Sequence, residues 1–362
     1  MANTRFSRRK FIGTMTAGAA TVANFSPFES LANTSPGFPS VDPDRTIRIL
    51  STNNFSTKEL EKLRSVSKNI DLQVVSDPAS SALEDAEVII GNVDGPVLGR
   101  AKKLKWVQVM HAGVEHMPKE MIDHPLVLTN MQRIFAPVIA ETAIAMLLSL
   151  TRGLVQHAIP NFGQKKWSGS LPADVQLEDL HNKTIGIVGM GGIGSETARR
   201  LYYGFSMRVL ATDAKAMPRP DFVEELHDPS WFMEMVPKVD VLMSAAPLTK
   251  ETGEMFNEDV FNKMKPASYF INVTRGGLVK QDALVDALKT KKIRGAGLDV
   301  ATPEPLPPES PLWSCPNLVI TPHNSGSAPI REERMFGLVM ENVRRYSSGL
   351  PLMNVVDKEK GY

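Results

Sequence analysis

From about residue 46 the apolar positions fall into two series of short runs separated by polar, helix-spaced segments. Thr46-Ile47-Arg48-Ile49-Leu50 alternates as a strand does, and Leu72-Gln73-Val74-Val75, Val88-Ile89-Ile90-Gly91 and Trp106-Val107-Gln108-Val109 read the same way. Between the first two, Lys58 to Ser67 has helical spacing. Residues 138–152 are apolar on nearly every face, which predicts a helix buried between domains. A second series starts at Lys183, with strand-like runs at 184–188, 208–212, 239–243, 269–273, 295–300 and 318–321. Six strands separated by helices predict a parallel, doubly wound sheet covered on both faces. One more helix is predicted from about Pro329 to Ser347.

Length and composition fit this α/β reading. The 362 residues suggest about two domains, and 42% hydrophobic with 22% charged residues predicts an ordinary packed core. A net charge of +1 gives no bulk attraction for nucleic acid. Cys315 is the sole cysteine, so neither an intramolecular disulfide nor a cysteine-cluster metal site can form, and no metal is expected. No uncharged apolar run reaches about 18 residues, so no transmembrane span is predicted.

Residues 1–32 read as an address. Arg5, Arg8, Arg9 and Lys10 face only Glu29, and a small, mildly apolar stretch from Phe11 to Ala23 follows. Ser30-Leu31-Ala32 has small residues where a signal peptidase reads. Ser7-Arg8-Arg9-Lys10-Phe11-Ile12 resembles the twin-arginine export motif, which implies passage of a folded protein through that machinery to the periplasm. Residues 33–45, with Pro36, Pro39 and Pro43, read as a flexible leader.

Gly189-Met190-Gly191-Gly192-Ile193-Gly194 is a Gly-x-Gly-x-x-Gly that follows the strand 184–188 and precedes a helix predicted from Ser195 to Tyr203. In that context Gly189 permits the tight turn, Gly191 lets backbone approach a pyrophosphate, and Gly194 lets helix pack on strand. The helix N-terminus then offers unpaired N–H groups to phosphates. Asp213 ends the next strand, where a carboxylate can accept from ribose hydroxyls and repel a 2′-phosphate. NAD is therefore expected over NADP, with Lys215 and Arg219 close enough to soften the preference.

Three chemically capable side chains follow later strands. Arg275 lies in the glycine-rich turn Asn272-Val273-Thr274-Arg275-Gly276-Gly277, Glu304 in the proline-stiffened Ala301-Thr302-Pro303-Glu304-Pro305, and His323 in Thr321-Pro322-His323-Asn324. In an open α/β sheet ligands bind beyond the carboxyl ends of the strands, which places all three near a nicotinamide. These segments, with Pro247-Leu248-Thr249-Lys250-Glu251-Thr252, resemble the D-isomer-specific 2-hydroxyacid dehydrogenases, and the resemblance runs from about residue 46 to 355. It implies catalysis by Arg275, Glu304 and His323. It implies cofactor contacts at Gly189, Gly191, Gly192, Ile193, Gly194, Asp213, Pro247, Thr252, Val273, Thr274 and Asp299. It places the substrate carboxylate on the loop His111-Ala112-Gly113-Val114-Glu115 together with Arg275.

The implied fold has two domains with a cleft between them. A flavodoxin-like substrate domain, 46–147, is completed by 326–356 and so is discontinuous; a Rossmann-type NAD-binding domain spans 148–325. A homodimer through the nucleotide domain is implied, with a small 2-keto or 2-hydroxy acid as the other partner. Reducing a 2-keto acid needs a proton on its oxygen, which a histidine can give near neutral pH. Glu304 would orient the ring, and Arg275 would clamp the carboxylate. Glu304 argues against a formate dehydrogenase, where a neutral amide is expected. Alternatives within the fold are an NAD-sensing, partner-binding corepressor and an exported dehydrogenase with permanently bound cofactor.

Overall fold

The computed structural model describes residues 45–115, 117–173 and 175–362. The expected signal at 1–32, and the leader apart from Arg45, lie outside the described residues.

The first sheet is built from β1 (Ile47–Ser51), β2 (Ile70–Val74), β3 (Val88–Ile90), β4 (Trp106–Gln108) and β5 (Val127–Thr129). Its order is β2-β1-β3-β4-β5 and every pair is parallel. Val88, Ile89 and Ile90 are fully buried at its centre, as a strand covered on both faces must be. The helix Thr57–Ser65 begins at a capping box: Ser56 Oγ accepts from Glu59 N, and Glu59 Oε2 accepts from Ser56 N at 2.8 Å.

The second sheet contains β6 (Thr184–Val188), β7 (Arg208–Thr212), β8 (Glu225–His227), β9 (Val241–Ser244), β10 (Tyr269–Asn272), β11 (Gly295–Leu298) and β12 (Leu318–Ile320). The order is β12-β11-β10-β9-β6-β7-β8, again parallel throughout. Strand order reverses between β6 and β9, so a crevice opens beyond their carboxyl ends. The architecture is two parallel-sheet α/β units, one of Rossmann type.

Two strands differ from the sequence expectation. Neither β5 nor β8 was anticipated; each has three residues, and β8 carries Leu226 as its one apolar side chain. The helix after the glycine loop spans Gly192–Phe205, starting inside the motif rather than after it, because Gly191 already serves as its N-cap.

The chain passes from one sheet to the other through the helix Ala136–Thr151, whose Ala140, Ala143, Met146, Leu147 and Leu150 are buried. Met146 lies against Gly297 of β11, where any added Cβ would come within 2.8 Å of it. Past Gly153, at φ +67°, the chain runs out into a segment that exposes Ile159, Phe162 and Trp167. After β12 the helix Arg331–Ser347 returns to the first sheet. There Tyr346 stacks on Trp106 at 5.4 Å, and the Asn342 amide donates to Gln108 Oε1 at 2.9 Å.

Candidate active site

The glycine loop joins β6 to the helix Gly192–Phe205. Gly189 sits at φ +96°, and a Cβ there would meet the Ala245 carbonyl oxygen at 2.7 Å. Gly194 is pressed onto the Gly189 carbonyl, so a Cβ would collide with backbone. Gly191, by contrast, faces open space. A closed turn, a tight helix–strand contact and one open backbone face are what a dinucleotide pyrophosphate requires, so the residues fit that group.

Asp213 ends β7 and reaches back to this loop. Its Oδ2 accepts from Met190 N at 2.6 Å and its Oδ1 from Lys215 N at 2.7 Å. Each oxygen keeps a further lone pair for a hydroxyl. The Lys215 ammonium lies 4.5 Å from the Tyr362 ring centroid, and burial lowers its pKa against the opposing pull of Asp213.

Arg275 follows β10. Its Nη1 donates to the Thr274 carbonyl at 2.7 Å, and its Nε donates to Glu115 Oε1. The guanidinium lies so close to Gly113 that a Cβ on that glycine would collide with Nη2. Asn272 holds the turn by donating from Nδ2 to the Arg275 carbonyl at 2.9 Å. Val273 and Thr274 are buried behind it, and Thr274 Oγ1 lies 3.3 Å from Ser244 Oγ.

Glu304 and His323 follow β11 and β12. His323 Nδ1 lies 2.6 Å from Glu304 Oε2, and Glu304 Oε1 accepts from Ala301 N at 2.9 Å. A carboxylate only accepts, so Nδ1 carries the proton and Nε2 is the nitrogen left to exchange one. Asp299 is 1% exposed and spends its carboxylate on the same loop. It accepts from Thr321 Oγ1 at 2.5 Å, Asn324 N at 3.1 Å and Ser325 N at 3.1 Å. That makes Asp299 a brace beneath His323.

The loop after β4 faces Arg275. His111 Nδ1 donates to the Gly113 carbonyl at 2.7 Å, Asn130 Nδ2 donates to the Ala112 carbonyl at 2.6 Å, and Val114 is buried. Arg275, His111, Gly113, Glu115, Met117 and Met121 line one cavity of about 580 Å³. Thr252 Oγ1 donates to the Pro247 carbonyl at 2.7 Å and accepts from Thr249 N at 2.8 Å, so its hydroxyl closes its own turn. Cys315 borders a separate cavity with Asn317, and burial pushes its thiol up.

Two site features were not legible as such. In the sequence Glu115 is no more than the end of a loop, yet it pairs with an arginine 160 positions away. Arg133, from the loop after β5, lies on Gly192. No local spacing signals either contact.

The model of the D-isomer specific 2-hydroxyacid dehydrogenase NAD-binding domain matches residues 144–325. The chain is 33% identical over 284 residues to a glyoxylate/hydroxypyruvate reductase B of Pectobacterium carotovorum, covering 77% of this chain and 88% of that one. It is 31% identical over 326 residues to a glyoxylate reductase of Korarchaeum cryptofilum, covering 84% and 96%. Among solved structures, a D-isomer specific 2-hydroxyacid dehydrogenase family protein from Aeromonas salmonicida superposes with a TM-score of 0.70 at 30% identity, covering 87% of this chain and 99% of that one. An NADPH-dependent glyoxylate/hydroxypyruvate reductase from Sinorhizobium meliloti, in complex with NADP and malonate, gives 0.68 at 28% identity, covering 87% and 98%. With its paired parallel sheets, its glycine loop and these relatives, the chain belongs to the D-isomer specific 2-hydroxyacid dehydrogenase family of oxidoreductases.

Proposed function

We propose that the exported chain uses NADH to reduce a small 2-keto acid of the glyoxylate or hydroxypyruvate class to the corresponding 2-hydroxy acid, the D form where C2 is a stereocentre. The observation that carries this is the His323–Glu304 pair at 2.6 Å, set with Arg275 beyond the ends of the neighbouring strands β10, β11 and β12.

The glycine loop and Asp213 hold the dinucleotide, and the nicotinamide, when bound, supplies the hydride. His323 gives the proton from Nε2 to the substrate carbonyl oxygen, while Glu304 fixes the ring through Nδ1. Arg275 is the cation that clamps the substrate carboxylate, its guanidinium positioned by Glu115 through Nε and by the Thr274 carbonyl through Nη1. His111 and Gly113 line the same cavity as Arg275 and form a second wall for that carboxylate. Asp213 favours NADH over NADPH by accepting from ribose hydroxyls and repelling a 2′-phosphate. The NADP-bound relative makes this preference the point most worth measuring.

Twin-arginine export to the periplasm rests on Arg8-Arg9-Lys10-Phe11-Ile12. Homodimerisation rests on the exposed apolar segment with Ile159, Phe162 and Trp167, which a second copy would cover.

The test is an NADH- and NADPH-oxidation screen of residues 33–362 against glyoxylate, hydroxypyruvate, pyruvate, phenylpyruvate and branched 2-keto acids. Turnover with NADH is expected for glyoxylate and hydroxypyruvate. Activity confined to large branched acids, or to NADPH, would overturn the corresponding part of the proposal.

A further inference from the structure

Arg133 occupies a backbone position that suits glycine. Its φ is +71°, in the left-handed region where a side chain is disfavoured. It lies between β5 and the helix Ala136–Thr151, and its carbonyl accepts from Ala136 N at 3.1 Å at the start of that helix. A Cβ placed on Gly192 would come within 3.0 Å of Arg133 Cγ, so the arginine stem rests on the first turn of the dinucleotide helix. The side chain is half-buried, yet its guanidinium has no hydrogen-bond or ion-pair partner among the described residues. Burial lowers its pKa, and Asp213 is the carboxylate whose charge opposes that. Arginine nonetheless stays protonated. An unpaired, partly desolvated cation is costly, and it persists where an anion completes it.

We propose that Arg133 is a cofactor ligand that binds the dinucleotide diphosphate from outside the nucleotide-binding sheet. The open face of Gly191 and the free N–H groups of the helix start lie beside its stem, and a planar fork matches phosphate oxygens well. Because Arg133 follows a strand of the first sheet, cofactor bound there touches both halves of the molecule. This rests on the cofactor site proposed above.

The test is equilibrium binding, by calorimetry and NADH fluorescence, to the wild-type mature chain and to Arg133→Gly. Glycine suits the φ, so the variant is expected to melt at the wild-type temperature or above it. NADH, NADPH and ADP-ribose should each bind roughly 10- to 100-fold more weakly, the loss of a charge-assisted hydrogen bond or two, whereas adenosine should bind unchanged. The difference between the proteins should shrink as salt is raised. Equal affinity of both proteins for NADH would overturn the proposal. An equal loss for adenosine would make the role structural and also overturn it. A loss confined to NADPH would move the arginine to a 2′-phosphate and overturn the diphosphate assignment. Failure of the wild type to bind either dinucleotide would overturn the cofactor reading beneath it.

Discussion

His323 has one nitrogen committed to Glu304 and one open, and this asymmetry sets what substitutions do. His323→Ala should slow 2-keto acid reduction by about 10²–10⁴-fold, the range for a lost general acid, while NADH affinity stays at the wild-type value. Stopped-flow turnover beside a binding titration separates the two, and wild-type turnover would end the proposed mechanism. Arg275→Lys should be nearly as damaging, because an ammonium cannot bridge Glu115, the Thr274 carbonyl and a carboxylate at once. Its defect should appear in KM as well as kcat, since the proposed clamp would hold the substrate before and during reaction. These residues were legible because each follows a strand within a motif of fixed order. Glu115 and Arg133 were not, because their roles depend on which loops the two sheets bring face to face.

At the scale of elements, the molecule is tied by buried polar contacts where its short strands offer little area. Glu87, just before β3, is 7% exposed. It receives two bonds from Arg45, at 2.8 and 2.6 Å, and one from the Tyr346 hydroxyl at 2.6 Å. Burial works against its charge, yet the hydrogen bonds from Arg45 and Tyr346 and the Lys105 charge hold the carboxyl below its usual 4.5. A carboxyl lowered in the fold adds stability above its unfolded pKa and loses it as pH falls through the folded one. Wild-type Tm should therefore drop as pH falls below about 4.5. Glu87→Gln should melt lower at pH 7 and show a flatter acid limb. Parallel limbs in calorimetry would remove Glu87 from the acid response. Length alone does not hide a strand, since β3, β4 and β12 also have three residues and are legible; β8 is not, because Leu226 is its one apolar side chain, whereas the fully buried β6 and β9 stand out.

For the whole molecule, the proposed destination depends on residues that precede the fold. Changing Arg8 and Arg9 together to Lys keeps the charge but removes what a receptor reads, so the protein should accumulate in the cytoplasm. Fractionation that still finds the double variant in the periplasm would count against twin-arginine export. That route takes folded cargo, and the path of the chain bears on when folding finishes. The first sheet is complete at Thr129, but the helix that covers Trp106 begins only at Arg331. At roughly 5–20 residues per second of synthesis, the sheet waits about 10–40 s on the ribosome before Tyr346 and Asn342 can dock. During that interval an apolar face is bare, and a nascent chain stalled anywhere in the second sheet is prone to aggregate. Slowing translation between the codons for residues 130 and 330 would lengthen that exposure and make the yield of folded protein depend on how well a chaperone holds the unfinished first half.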